Sequence, residues 1–225
     1  MKALRFDISG KTAFFKNPDI NVEINPTFNH IHKPALLGLL GAILGLKGLS
    51  DKKELPEYYE KLKDLEISIV PEKEFFETKL QTFNNTTGFG NKSQNLIINQ
   101  IWLNNPKWTI YIKLNNPYAN KIKDSLLNKK AIYYPYLGSN DHFCNIDNVD
   151  IIELEKINID KINSLVCEKD IELLNKKGIF FKELEPVGYN EKTFNYNYKT
   201  MIKTDFKIKT DKEILTDNKN NIVFY

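Results

Sequence analysis

The segment Pro34-Ala35-Leu36-Leu37-Gly38-Leu39-Leu40-Gly41-Ala42-Ile43-Leu44-Gly45-Leu46 constrains the fold more than any other stretch. It is apolar throughout, yet its 13 residues fall short of the ~20 that a helix needs to cross a bilayer, so it reads as a buried helix. Pro34 suits a first helical turn, where its missing N–H would have had no partner. Gly38, Gly41, Gly45 and Gly48 follow at spacings of three, four and three, which sets them on one helical face. Each costs a helix interior ~1 kcal/mol relative to alanine. Something must therefore approach that face closely: a sheet, a partner's backbone or a polynucleotide backbone. Packing on the chain's own sheet is the plainest of the three. A phosphate-binding loop is excluded, because no Gly-Lys-Ser/Thr follows the glycines.

Around this helix the periodicity is that of strands. Leu4, Phe6 and Ile8 alternate with Arg5 and Asp7, and Ser9-Gly10 ends the run. Gly48-Leu49-Ser50-Asp51 breaks the helix, and Ser50 or Asp51 can cap a second one through Leu55, Tyr58, Tyr59 and Leu62. Residues 65–70 alternate again. Phe75 to Phe83 and Asn95 to Leu103 read as two extended arms around the polar tip 84–93. Trp108 to Leu114 is the clearest strand, Tyr118 to Leu127 a short helix, and Val149 to Ile157 a further strand. The tail closes on Ile214-Leu215 and Ile222-Val223 around an asparagine-rich turn. The order β-α-β-hairpin-β-α-β predicts an α+β fold with a ferredoxin-like sheet carrying insertions.

Composition narrows the function classes. At 225 residues, with 41% hydrophobic and 27% charged side chains, the chain suits one globular domain with at most a small appendage. Thirty-two basic residues against 29 acidic ones permit a local basic path without demanding nucleic acid. Arg5 is the only arginine, and lysine and asparagine abound, as in proteins from AT-rich genomes. Cys144 and Cys167 are too few for a disulfide scaffold, and no export signal opens the sequence, so a cytoplasmic protein is expected.

The candidate chemistry sits in loops. Lys11, Phe14, Phe15 and Lys16 follow the first strand, and Phe89, Asn91 and Lys92 crown the hairpin tip. Aromatic and basic residues interleaved in this way suit single-stranded nucleic acid, with rings stacking on bases and lysines meeting phosphates. His30 with His32, and His142 with Cys144, match a His₃Cys zinc site by residue type but not by finger spacing, so no metal is assigned. His30, His32, Lys33 and the tyrosines also supply the groups of a metal-independent ribonuclease. Catalytic triads, paired carboxylates and dinucleotide fingerprints are absent as motifs.

Three segments together carry a family resemblance: Leu4 to Gly10 with Ala13-Phe14-Phe15-Lys16, His32-Lys33-Pro34 to Gly45, and Tyr134-Pro135-Tyr136-Leu137-Gly138-Ser139. The chain resembles Cas protein family five, the RAMP-superfamily subunit of type I CRISPR Cascade complexes, and subtype I-B most of all. The resemblance implies an RRM-related RAMP domain over residues 1–155, a β-hairpin thumb at about 75–103, and a smaller β-rich region over 156–225. It implies a non-catalytic subunit of antiviral defence that holds the 5′ handle of CRISPR RNA and needs no cofactor. Its partners would be the backbone and large subunits, with target DNA met only through the complex and no membrane. Lys11, Phe15, Lys16, His32 and Lys33, with Tyr136, Gly138 and Ser139, would line the handle, and Phe89 and Lys92 would meet RNA from the thumb. Gly138 would let the backbone approach a phosphate. Subtype I-C members cut CRISPR RNA with a tyrosine and a Lys-His pair; no Lys-His dipeptide occurs here.

Overall fold

The computed structural model describes every residue except 21–22, 49–53, 88–93 and 176, together with the backbone alone of 85–87 and 94–96. The chain opens with β1 (Lys2–Ser9), the short β2 (Thr12–Ala13) and β3 (Ile24–Asn25), helices α1 (Lys33–Leu44) and α2 (Glu57–Leu62), and β4 (Ile67–Pro71). A long hairpin, β5 (Thr78–Thr87) and β6 (Gln94–Asn104), leads into β7 (Lys107–Lys113), α3 (Pro117–Leu127) and β8 (Asn145–Glu153). Then come β9 (Glu155–Ile157), β10 (Val166–Cys167), β11 (Glu172–Leu173), β12 (Phe180–Tyr189), β13 (Tyr196–Thr204), β14 (Ile208–Lys209), β15 (Ile214–Thr216) and β16 (Asn221–Ile222). The fold is mixed α+β, dominated by sheet. No helix among the described residues is long and apolar enough to cross a membrane.

The central sheet runs β4-β7-β1-β8, with every neighbouring pair antiparallel. Helix α1 lies in the connection from β1 to β4, and α3 in that from β7 to β8. Alternation in β1 decides which side the helices cover. Leu4, Phe6 and Ile8 are fully buried and share one core with Trp108, Ile110 and Ile112 of β7, Leu36, Leu37, Leu40 and Ile43 of α1, and Ile122 of α3. Burying side chains of this size stabilises the fold by about 1.5–3 kcal/mol each.

Helix α1 corrects the reading of the glycines. It begins where the His32 side chain accepts from Ala35 N, and it ends at Gly45, which takes φ +74° as a left-handed cap. Gly48 lies beyond the helix, with nothing among the described residues near its would-be Cβ. Gly38 and Gly41 do not meet the sheet. A Cβ at Gly41 would fall 2.4 Å from Tyr58 Cβ, and one at Gly38 would fall 3.5 Å from Tyr58 Cζ. The leucines offer more apolar area and take the sheet, and the two glycines admit α2.

The opposite sheet face is covered too. Ala3, Val70 and Tyr111 pack with Leu154, Leu215 and Ile222, so the β15–β16 hairpin lies on it. A polar lock holds it. Arg5 and the Tyr111 hydroxyl donate to Asp217 Oδ2 at 3.1 and 2.9 Å, and the Lys219 and Asn220 amides donate to Asp217 Oδ1. Burial alone would raise the Asp217 pKa, but these donors hold it below the usual carboxylate value. Residues 156–225 share the main core: Leu165, Cys167 and Met201 belong to it. Tyr225 pairs with Ile67 along the β4 edge.

The β5–β6 hairpin stands in register from Thr78↔Leu103 to Thr87↔Gln94. Its base is fixed by β2 and β3, which both pair with β6. The expected contacts Phe89 and Lys92, and the capping candidates Ser50 and Asp51, lie outside the described residues.

Candidate functional site

A groove of about 1000 Å³ opens beside α1, bounded by α2, residues 14–16, residues 133–139 and β13. Local hydrogen bonds explain how its far wall is placed. The last carbonyls of a helix lack intrahelical partners. Here Ala42 O and Ile43 O accept from the Tyr133 and Ile132 amides at 3.1 and 3.0 Å, which ties the aromatic segment to the end of α1. Leu137 O in turn accepts from Phe14 N at 3.1 Å, and Tyr136 bridges to Phe143. Gly138 holds φ +92°, and a Cβ there would sit 1.9 Å from Phe14 O. The close approach that requires glycine is to the chain's own backbone; the expected phosphate is not needed to explain it.

Six of the expected residues line this groove: Phe15, Lys16, His32, Tyr136, Gly138 and Ser139. Phe15 is almost wholly buried, its ring meeting Trp108 and His32 edge-on at 6.0 Å, so it forms a wall rather than a free stacking face. Tyr136, 44% exposed, and Tyr133, 59% exposed, offer such faces. Lys16 is exposed at the rim. Two expected residues stand elsewhere. Lys33 turns its ammonium to the Tyr225 backbone oxygen at 3.0 Å. Lys11 is exposed beside the hairpin base, where its carbonyl accepts from Asn105 N.

The sequence reading missed Lys47, Tyr58, Tyr133 and Tyr196, all of which line the groove. Tyr133 immediately precedes the segment Tyr134 to Ser139, and Lys47 lies just past the glycine helix. Tyr196 comes from the β-rich region 156–225, where the sequence singled out no site residue. The phenols of Tyr58, Tyr189 and Tyr196 form a chain, with oxygens 3.2 and 3.4 Å apart. Burial pushes Tyr58 up to about 12 and the other two higher, so all three stay protonated at neutral pH.

The histidines are built into the fold. His30 is wholly buried; its Nδ1 lies 3.5 Å from the Trp108 indole N–H that donates to it, and its Nε2 lies 2.9 Å from Glu74 O. The His32 Nδ1 accepts from Ala35 N at 3.3 Å. Both rings therefore carry their proton on Nε2. Burial lowers each to about 3, so both are neutral at pH 7. His142 packs against Trp102 at 4.5 Å, with Nδ1 2.6 Å from the Thr12 hydroxyl. Burial pushes the Cys144 thiol up to about 12, and its Sγ faces Asn145 O. Among the described residues no three His, Cys, Asp or Glu side chains converge to hold a metal.

No family model and no curated protein matches the sequence. Solved structures do match. A chain of a "CRISPR RNA-guided surveillance complex" superposes with a TM-score of 0.56 at 13% identity, covering 92% of this chain and 91% of that one. A structure described as a Cas protein gives 0.53 at 12%, covering 91% and 94%. A CRISPR protein from Archaeoglobus fulgidus gives 0.52 at 12%, covering 99% of both. This chain has the fold of these CRISPR-associated proteins. The likeness runs nearly end to end and reaches the elements that build the groove.

Proposed function

We propose that this protein is a non-catalytic RNA-binding subunit of a type I CRISPR effector complex, of the Cas family-five kind and nearest subtype I-B. It holds the 5′ handle of CRISPR RNA in the groove beside α1. The observation that carries this reading is the convergence of Phe15, Lys16, His32, Tyr136, Gly138 and Ser139 on one groove. These residues come from separate segments that the resemblance had singled out together. The likeness of fold to a subunit of an RNA-guided surveillance complex supports it. The sheet order β8-β1-β7-β4, split by α1 and α3, supports a ferredoxin-like, RRM-related domain over residues 1–155. The β5–β6 hairpin is then the thumb, clamping RNA where handle meets guide, and 156–225 is the smaller β-rich region packed on the same core. The backbone and large subunits of the complex are the partners, in the prokaryotic cytoplasm.

The rings of His30 and His32 argue for holding rather than cutting. His30 has both nitrogens engaged within the fold and His32 has its Nδ1, and each pKa is lowered to about 3, far from what proton transfer near neutrality uses. The test is to incubate the full chain with repeat-derived handle RNA in chelator. Intact RNA should be retained, with an affinity that falls steeply as salt rises, because phosphate contacts release counterions. Clean cleavage lost on His32→Ala would overturn the non-catalytic reading, and affinity indifferent to salt would overturn RNA holding.

A further inference from the structure

We infer that the Tyr58–Tyr189–Tyr196 hydroxyl chain is a recognition element of the groove, presenting one unshared hydrogen to an oxygen acceptor on the nucleotide seated there. This rests on the groove being the RNA site proposed above. The argument is a count. Three phenols carry three hydrogens, and the two contacts, at 3.2 and 3.4 Å, use two of them. Tyr189 donates its one hydrogen to Tyr196, so Tyr58 must donate to Tyr189, and among the described residues the Tyr196 hydrogen is left over. Tyr58 and Tyr196 are the two ends of the chain, and both line the groove. Tyr196 is thus the donor end of the chain and Tyr58 the end that can still accept.

Three further observations fit such a reader. The hydroxyls stay protonated, so the donor is neutral and persists over the physiological range. Tyr189 is held by its own amide donating to the Tyr59 hydroxyl at 2.9 Å, which fixes the middle of the chain. Gly38 and Gly41 provide the room that seats the Tyr58 ring against α1, since a Cβ at Gly41 would fall 2.4 Å from Tyr58 Cβ. Chained hydroxyls polarise one another, which strengthens the terminal donor. The matching group is an oxygen acceptor, either a base carbonyl or a phosphate oxygen, beside the exposed faces of Tyr133 and Tyr136.

The experiment titrates the full chain with two single strands of equal charge: a uridine oligonucleotide and its abasic counterpart. Wild type is compared with Tyr58→Phe/Tyr196→Phe, which removes two hydroxyls and keeps both rings, and with Lys16→Ala/Lys47→Ala. A loss of roughly three- to tenfold in the double phenylalanine variant, the size of a hydrogen bond, supports the inference. Loss confined to the base-bearing strand assigns the acceptor to a carbonyl, and equal loss on both strands assigns it to phosphate. Tyr189→Phe should show a smaller loss, because it breaks the chain while leaving both ends. If the phenylalanine variant binds both strands like wild type while the lysine variant weakens both, the hydroxyl chain is packing only and the inference falls alone. If wild type binds neither strand, the RNA reading falls and takes the inference with it.

Discussion

The two sides of the central sheet have been put to opposite uses. On one, the β15–β16 hairpin is pinned by Arg5, Tyr111 and Asp217, and the residual cavity of about 470 Å³ is lined by Arg5, Asp7, Asp150 and Lys219, charges of both signs close together. On the other, beyond the helix layer, the groove of about 1000 Å³ keeps exposed tyrosine faces and lysines at its rim. The only arginine, the side chain best suited to a forked grip on phosphate or guanine, stands on the hairpin side with Asp217 and Asp150 as its partners. The β15–β16 hairpin covers the part of that sheet face built by Ala3, Val70 and Tyr111. On the function proposed above, recognition lies at the edge of a helix and not on the sheet.

Four experiments break or sharpen this contrast. The largest effect is expected from Asp217→Ala, which strips the acceptor from Arg5, Tyr111 and two backbone amides. It should cost about 3 kcal/mol in a denaturant titration while leaving RNA affinity below the melting point unchanged. An equal loss of RNA binding would show that the hairpin side is the functional one. Next, Gly138→Ala forces a side chain into Phe14 O at a left-handed φ. A loss of about 2 kcal/mol or more is expected, and here RNA affinity should fall with stability, since the groove wall itself is displaced.

Third, Lys16→Ala/Lys47→Ala should leave the melting temperature within a degree or two but flatten the log affinity against log salt plot by about 1.4, for two single-strand phosphate contacts. An unchanged slope would remove both lysines from the site. The smallest effect is in the packing between α1 and β12. His30 and His32 are lowered from 6.5 to about 3, so the unfolded chain takes up their protons first and stability declines as pH falls below 6.5. Glu183, raised from 4.5 to about 7 mainly by burial, and Glu185, raised well above 4.5 by burial, act in the opposite sense. The unfolded chain loses their protons first, so stability declines as pH rises above 4.5. Between 4.5 and 6.5 the two trends offset, and the melting temperature should be level there and fall on either side. Glu185→Gln should soften the alkaline decline. An unaltered alkaline limb would reject a neutral buried carboxyl at that position.

What the sequence disclosed follows from range. β1 and β7 were legible because alternation is local, and α1 because Pro34, an apolar run and Gly45 mark a start, a body and an end. The glycine face was assigned to the wrong neighbour, because spacing states which positions are small and not what will fill the room; Tyr58 does so from a separate helix. Six residues of the groove were found through contiguous segments such as Tyr136 to Ser139. Tyr58 and Tyr196 escaped, because they stand 138 positions apart in the chain and are joined only through Tyr189. Lys33 was misplaced for a related reason: its neighbours His32 and Pro34 face the groove, and its own stem runs to Tyr225. The closing hairpin was recognisable from its asparagine turn, but nothing local announced that it would dock on the sheet.

The pairing scheme also sets a timetable. β1 takes its two hydrogen-bonding neighbours from β7 and β8, with Leu4 opposite Ile112 on one side and Ile151 on the other. A nascent chain leaving the ribosome must therefore carry this apolar strand with both edges unfilled until those distant segments have been synthesised. Such long-range closure is slow, and open strand edges invite intermolecular pairing meanwhile. Yield in a recombinant host should accordingly respond to lower growth temperature and to added chaperones more than to any change in the mature surface.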